Sequence, residues 1–240
     1  MPVTLEIVDT NADSHSLNVA FDYFKYVDEK FSTYKNTSEI SLINEGKLKL
    51  EDSSSDMREV FNLAEKTKRE SNGYFDIKKP DDSYDPSGIV KGWAIYKASL
   101  LLKEHDYKNF CIEAGGDIET SGVNDKGQPW RIGIKNPFNP AEIVKVVEIQ
   151  DMGIATSGTY IRGNHIYNPK EKDDKIEDIV SLSVIGPNIY EADRFATAAF
   201  AMGRDGILFI EKLDGFEGYM IDKNGIATMT TGFEKYVKNN

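Results

Sequence analysis

Asp193 and Thr197 stand four residues apart in Glu191-Ala192-Asp193-Arg194-Phe195-Ala196-Thr197-Ala198-Ala199-Phe200. On a helix that spacing puts both side chains on one face, a turn apart. A carboxylate and a hydroxyl are hard oxygen donors suited to Mg²⁺, which keeps some waters and shares substrate phosphates. The alanines around them leave room for another backbone to come close. The same residues also fit an N-terminal Asp that stabilises its helix dipole, with an ordinary polar Thr. A second segment, Asp85-Pro86-Ser87-Gly88-Ile89-Val90-Lys91-Gly92, places Gly88 where a helix begins and Lys91 in its first turn. Free N–H groups at a helix start favour an anion, and a lysine beside them adds a point charge suited to phosphate. Asp85 can cap that helix, accept from a ligand or sit near a metal. Taken locally, a capping Asp, a turn glycine and a solvated lysine account for the pattern better.

Four further segments carry side chains of interest. In Glu113-Ala114-Gly115-Gly116-Asp117-Ile118, paired glycines permit positive φ or the close approach of a ligand, or form a plain turn. Gly153-Ile154-Ala155-Thr156-Ser157-Gly158 reads as small and hydroxyl residues after a strand, fit for a phosphate or a ring edge, or again for a turn. His165, in Gly163-Asn164-His165-Ile166-Tyr167-Asn168-Pro169, can accept a proton near neutral pH, as a general base must. His15 and His105 sit among charged helix-end residues and read as solvated. Tyr34, Tyr74 and Phe75 follow two helices and can flank a flat ring or fill a core.

Elements must hold these side chains in place. Leu17, Phe21, Phe24, Val27 and Phe31 recur at helical spacing over residues 16–31. Met57, Val60, Phe61 and Ala64 mark a helix over 56–69, with serines 53–55 as candidate caps. Ile89, Trp93, Tyr96 and Leu100 mark a third helix from Ser87. The period then changes. Residues 3–8, 110–112, 130–134, 143–149 and 179–185 read as strands, and loops are expected at 121–127 and 163–174. A helix fits 191–202. The last forty residues read as a short helix and then a hairpin turning at Asn224-Gly225. The expected fold class is α+β: one compact unit over 1–240, with mostly antiparallel sheet.

Composition narrows the partners. The formal net charge of -11 argues against a nucleic-acid groove or an anionic membrane, since both reward basic patches. One small phosphorylated ligand needs only a few local cations and N–H groups. The single cysteine, Cys111, allows no intrachain disulfide and reads as a small core hydrophobe. The first ten residues carry Glu6 and Asp9 and show no basic n-region, long apolar run or lipid-attachment cysteine, so a cytoplasmic location with no membrane span is expected.

Each segment is ambiguous alone, but their order along the chain is specific. Phe31-Ser32-Thr33-Tyr34, Ser38-Glu39-Ile40-Ser41 with Asn44, Tyr74-Phe75-Asp76-Ile77, Asp85 with Gly88-Ile89-Val90-Lys91-Gly92, Gly115-Gly116-Asp117-Ile118, Thr156-Ser157-Gly158, His165 with Pro169, and Ala192-Asp193 with Ala196-Thr197 occur in turn. Together, over about residues 30–203, they resemble the FAD:protein FMN transferase family, also called ApbE. The resemblance implies a T-fold-like α+β architecture with FAD between two lobes. It implies a magnesium-dependent cleavage of the FAD pyrophosphate, transfer of FMN to a Thr or Ser hydroxyl of an acceptor flavoprotein, and release of AMP. Tyr34, Tyr74, Phe75, Asp76, Asp85, Lys91 and Thr156 then fall at flavin-nucleotide contacts. The Gly88 carbonyl, Asp193 and Thr197 fall at metal ligands, and His165 at the base for the acceptor hydroxyl. An FAD pyrophosphatase using water as acceptor would need the same residues. A flavin-binding protein without turnover would have no evident need for a metal and a base.

The chain departs from the family pattern in two places. Asp76 and Asp85 are nine residues apart, where most relatives carry a long insert, so whatever the insert covers is exposed or replaced here. The N-terminal segment lacks the Met-Gly-Thr strand usual in the family, so no residue is assigned to the flavin contact made there.

Overall fold

A computed structural model describes residues 2–158, 168–170 and 176–238. Among these residues the chain opens with strand β1 (Val3–Ile7) and helices α1 (Ser14–Phe31), α2 (Glu39–Asn44), α3 (Ser55–Glu70) and α4 (Ser87–Glu104). Strands β2 (Phe110–Ala114), β3 (Asp117–Ser121), β4 (Trp130–Asn136), β5 (Asn139–Ile149), β6 (Gly153–Gly158) and β7 (Ile179–Gly186) follow. Helices α5 (Ile189–Ala201) and α6 (Gly206–Glu211) and strands β8 (Glu217–Asp222) and β9 (Ala227–Met229) complete it. Seven strands form one antiparallel sheet in the order β1-β2-β3-β6-β7-β8-β9, and β4 pairs with β5 as a separate hairpin. The expected α+β class with mostly antiparallel sheet is what the chain adopts.

Strand alternation sends successive side chains to opposite faces of the sheet. Phe110, Ile112, Ala155, Leu182, Val184 and Met220 meet helices α4 and α5 on one face. Ile154, Ile185, Tyr219 and Ile221 meet the β4–β5 hairpin and Phe233 on the other. A third apolar cluster joins α1, α3 and α4 to Phe75 and Ile77 and to Tyr190 and Ala198 of α5. Helix α4 is therefore buried on nearly every side, against the sheet, α5 and the α1–α3 layer. Cys111 lies in β2, where burial pushes its thiol up to about 12, in keeping with its reading as a packing residue.

Two caps fix the helices that matter most here. Ser54 accepts the Met57 N–H at the start of α3, and Asn188 accepts the Glu191 N–H at the start of α5, each satisfying a donor that the helix itself leaves open. The stretch 153–158, expected to follow a strand, is itself strand β6. Its small residues gave no β signal, but Gly153 is required, because a Cβ there would stand 2.1 Å from the Ile189 nitrogen. The two glycines Gly115 and Gly116 have φ of 61° and 93° and form the two-residue turn between β2 and β3. Asn224-Gly225 is the β8–β9 turn, as expected. The short helix α2, capped by Ser38, was not anticipated.

Candidate active site

Helices α4 and α5 touch where both carry small residues. A Cβ on Gly92 would lie 2.6 Å from Asp193 Cβ and 2.8 Å from the Ile189 carbonyl oxygen, so only glycine allows this approach. The contact lets the Gly92 N–H donate to Asp193 Oδ2 at 2.8 Å. One turn along α5, the Thr197 hydroxyl lies 3.3 Å from the Gly88 carbonyl oxygen. Sequence spacing placed Asp193 and Thr197 on one helix face, and the packing of α4 brings the Gly88 carbonyl to that same face. The Phe75 ring closes the corner, 3.3 Å from the position of a Cβ on Gly88.

Lys91 enters from α4. Its ammonium lies 2.6 Å from Asp117 Oδ2 and 3.8 Å from Asp193 Oδ1. Asp117 is fully buried at the start of β3, just after the double-glycine turn. Strand β6 runs past the end of β3 there, so Asp117 Oδ1 takes the Thr156 N–H at 3.2 Å in place of a backbone acceptor. Asp117 Oδ2 touches Lys91 as an ion contact without an aligned hydrogen bond, which leaves that buried oxygen acceptor capacity to spare. Thr156 joins the cluster through its backbone. Its hydroxyl meets the Ser183 hydroxyl at 2.7 Å across the strand pair. Burial holds the Asp193 carboxyl above the usual carboxylate range, with Lys91 opposing that shift and Asp117 adding to it.

Of the remaining expected residues, Phe75 and Asp85 reach the start of α4 beside this cluster, whereas Tyr34, Tyr74 and Asp76 make their contacts elsewhere. Asp85 Oδ1 accepts the Ser87 N–H at 3.0 Å, so one of its oxygens caps the start of α4, three residues before Gly88. Its own N–H is held by the Ile77 carbonyl, and the Asn44 amide clamps the backbone of neighbouring Tyr84 from both sides, at 2.9 and 2.8 Å. The nine-residue step from Asp76 to Asp85 is thus a tight hairpin, with Lys78 bridged to Tyr84 and Asp82 at φ 65°. Asp76 pairs with Lys68 of α3 at 2.6 Å, and the Lys170 ammonium lies 4.4 Å from the centre of the Tyr74 ring. Phe75 is only 3 % exposed, whereas Tyr34 is 96 % exposed at the end of α1. His165 lies outside the described residues.

Two residues beyond the expected set belong to this picture. Asp117 was visible only as an acid after two glycines; nothing local pairs it with Lys91, twenty-six positions earlier. Arg194 was visible only as a neighbour of Asp193, yet it is 3 % exposed and held by two acids.

The oxygens at this corner suit a small hard cation: one carboxylate, one hydroxyl and one carbonyl, with a spare buried carboxylate oxygen on Asp117 nearby. Among the described residues no group of three or more His, Cys, Asp and Glu side chains is placed to hold a metal, so the donor set here is a mixed one.

The family model for ApbE matches residues 1–81 and 78–220. The chain belongs to the ApbE family. It is 29 % identical over 166 residues to the FAD:protein FMN transferase of Escherichia coli (strain K12), covering 65 % of this chain and 47 % of that protein. It is 34 % identical over 131 residues to the one from Chlamydia pneumoniae, covering 50 % of this chain and 40 % of that protein. The chain thus spans about half the length of the curated ApbE relatives that it matches. Its fold is that of the flavin transferase ApbE from Vibrio cholerae, with a TM-score of 0.85 and 23 % identity over 98 % of this chain and 95 % of that one. The ApbE protein from Thermotoga maritima superposes with a TM-score of 0.87 at 18 % identity, over 99 % of this chain and 96 % of that one.

Proposed function

We propose that this ApbE-family chain transfers FMN from FAD to a Thr or Ser hydroxyl of an acceptor flavoprotein and releases AMP. The observation that carries the reading is the meeting of Lys91, Asp117, Asp193, Thr197 and the Gly88 carbonyl at one corner of α4 and α5. A pyrophosphate suits that mixture of one cation and several hard oxygens that can share a metal. Phosphoryl transfer asks a protein for positioning and charge neutralisation more than for covalent help.

In this reading the acceptor hydroxyl oxygen bonds to the phosphorus of the FMN half. The bond from that phosphorus to the bridging oxygen breaks, and AMP leaves with that oxygen. His165 takes the hydroxyl proton, a role typically worth roughly 10²- to 10⁴-fold. The Gly88 carbonyl, Asp193 and Thr197 would hold magnesium, which when bound neutralises charge on the pyrophosphate oxygens. Lys91, released in part from Asp117, faces the same phosphates. In this reading Tyr34, Tyr74, Phe75, Asp76, Asp85 and Thr156 make further contacts to FAD.

Incubation with FAD and Mg²⁺, with and without an acceptor domain, tests the reading by chromatography of AMP. AMP release that depends on the acceptor is expected. AMP released at equal rate in both tubes would make the chain an FAD pyrophosphatase instead. No AMP in either tube, with FAD bound, would leave a binding protein.

A further inference from the structure

We propose that Arg194 is a positioning residue that, through Glu70, fixes the 71–76 segment against the helix carrying Asp193 and Thr197. The proposal rests on reading these residues as an FAD site. Arg194 directly follows Asp193, so the helix turns it about 100° away. Asp193 faces Gly92 of α4, while Arg194 faces the last turn of α3.

The guanidinium is almost wholly buried, and a buried cation is tolerated only when paired. Its Nε donates to Glu191 Oε2 at 2.7 Å, and one terminal nitrogen reaches the same oxygen. The other terminal nitrogen pairs with Glu70 Oε2 and lies 3.5 Å from the Thr67 hydroxyl. The Phe195 ring lies beneath, 3.9 Å from Cζ to its centre. Glu191 sits on the same helix as Arg194 and would suffice to neutralise it. Glu70 ends α3, and that second acid turns a local pair into a tie between two elements.

What α3 leads into gives the tie its consequence. Ser71 follows Glu70, is fully buried, and its Oγ accepts the Phe75 N–H at 3.1 Å. Lys68, on the same last turn, holds Asp76. Phe75 packs at Gly88, and Gly88 meets Thr197 back on α5. The contacts therefore close a ring: α5 to α3, α3 to the 71–76 segment, that segment to α4, and α4 to α5. Loosening the Arg194–Glu70 link lets Tyr74 and Asp76 shift relative to the metal-side residues without removing any group that touches the substrate.

The test uses Glu70→Gln, which keeps shape and an acceptor but removes the charge, and Arg194→Lys, which keeps the charge but loses the planar fork. FAD affinity is titrated by flavin fluorescence in Mg²⁺, beside kcat and the melting curve. Both variants are expected to bind FAD roughly three- to tenfold more weakly than the parent, with kcat at saturating FAD within about twofold. A Glu70→Gln protein that melts cooperatively and binds FAD within about twofold of the parent overturns the proposal. If that variant does not melt cooperatively, Arg194→Lys is judged by the same limits. A parent chain that fails to bind FAD would remove the FAD reading itself, an outcome separate from a parent that binds and variants that match it.

Discussion

At the scale of single residues, this protein concentrates charge where water is scarce. Asp117 and Asp193 share one lysine within the α4–α5 corner, and each spends an oxygen on a backbone N–H. One lysine thus stands against two buried carboxylates, which leaves room for a further cation beside Asp193. Asp193→Ala is therefore expected to lower AMP release by at least about 10²-fold while FAD still binds. Turnover near the parent's in chelator-treated Asp193→Ala would contradict the metal role. Glu119 offers a separate, pH-dependent test. It is 2 % exposed, accepts the Ile189 N–H at 2.7 Å, and is pushed by burial from 4.5 up to about 7. A raised folded value means that the folded chain holds the proton more tightly than the unfolded one. The stability it contributes is full below pH 4.5 and is lost as pH rises through about 7. Glu119→Gln keeps an acceptor for Ile189 and cannot titrate. Relative to the parent it should gain stability between pH 5 and 8, on the order of 2 kcal/mol. Some slope remains, because Asp193 shifts in the same direction. Parallel melting-temperature curves for variant and parent across that range would contradict it.

At the scale of elements, the site is made by two helices that only small residues allow to touch. Gly92→Ala would place a methyl 2.6 Å from Asp193 Cβ. It should cost about 1–3 kcal/mol in chemical denaturation. It should also separate Asp193 from the Gly92 N–H and so weaken FAD binding in Mg²⁺. A folded Gly92→Ala protein with unchanged stability and affinity would mean that the two helices do not need this contact. The sequence made these helices visible to different degrees. Asp193 and Thr197 were legible as a pair because helical spacing is local. Ile89, Trp93 and Tyr96 marked α4 by their intervals, although the helix is buried almost all round and has little polar face to contrast with them. Strand β6 was not legible, since Gly153 is small for a packing reason that lies on α5, and Ala155 packs in the same helix-facing core. The Lys91–Asp117 pair and the Arg194–Glu70 tie were also hidden, because each joins residues far apart in sequence.

At the scale of the whole molecule, one antiparallel sheet separates two kinds of packing. Helices cover one face, where α4 and α5 meet at the candidate site, while the β4–β5 hairpin covers the other. The α+β class followed from helical periods early in the chain and strand periods later. Closure of the hairpin over the sheet did not, because it depends on side chains such as Trp130 and Tyr219 meeting across distance. Among the described residues no helix is long and apolar enough to cross a membrane. The net charge of -11 argues against a broad polyanion surface and is compatible with a few local cations such as Lys91 at the α4–α5 corner. The family's fold is present over nearly the whole chain, and the site's hard oxygens are gathered at one corner of it. The most direct test of the account is the intact mass of an acceptor domain after incubation with this protein, FAD and Mg²⁺. The account predicts a gain of one FMN, absent when the acceptor's target Thr or Ser is changed to Ala and absent with Asp193→Ala. An acceptor of unchanged mass beside free FMN and AMP would contradict it, because the phosphoryl group would then have gone to water.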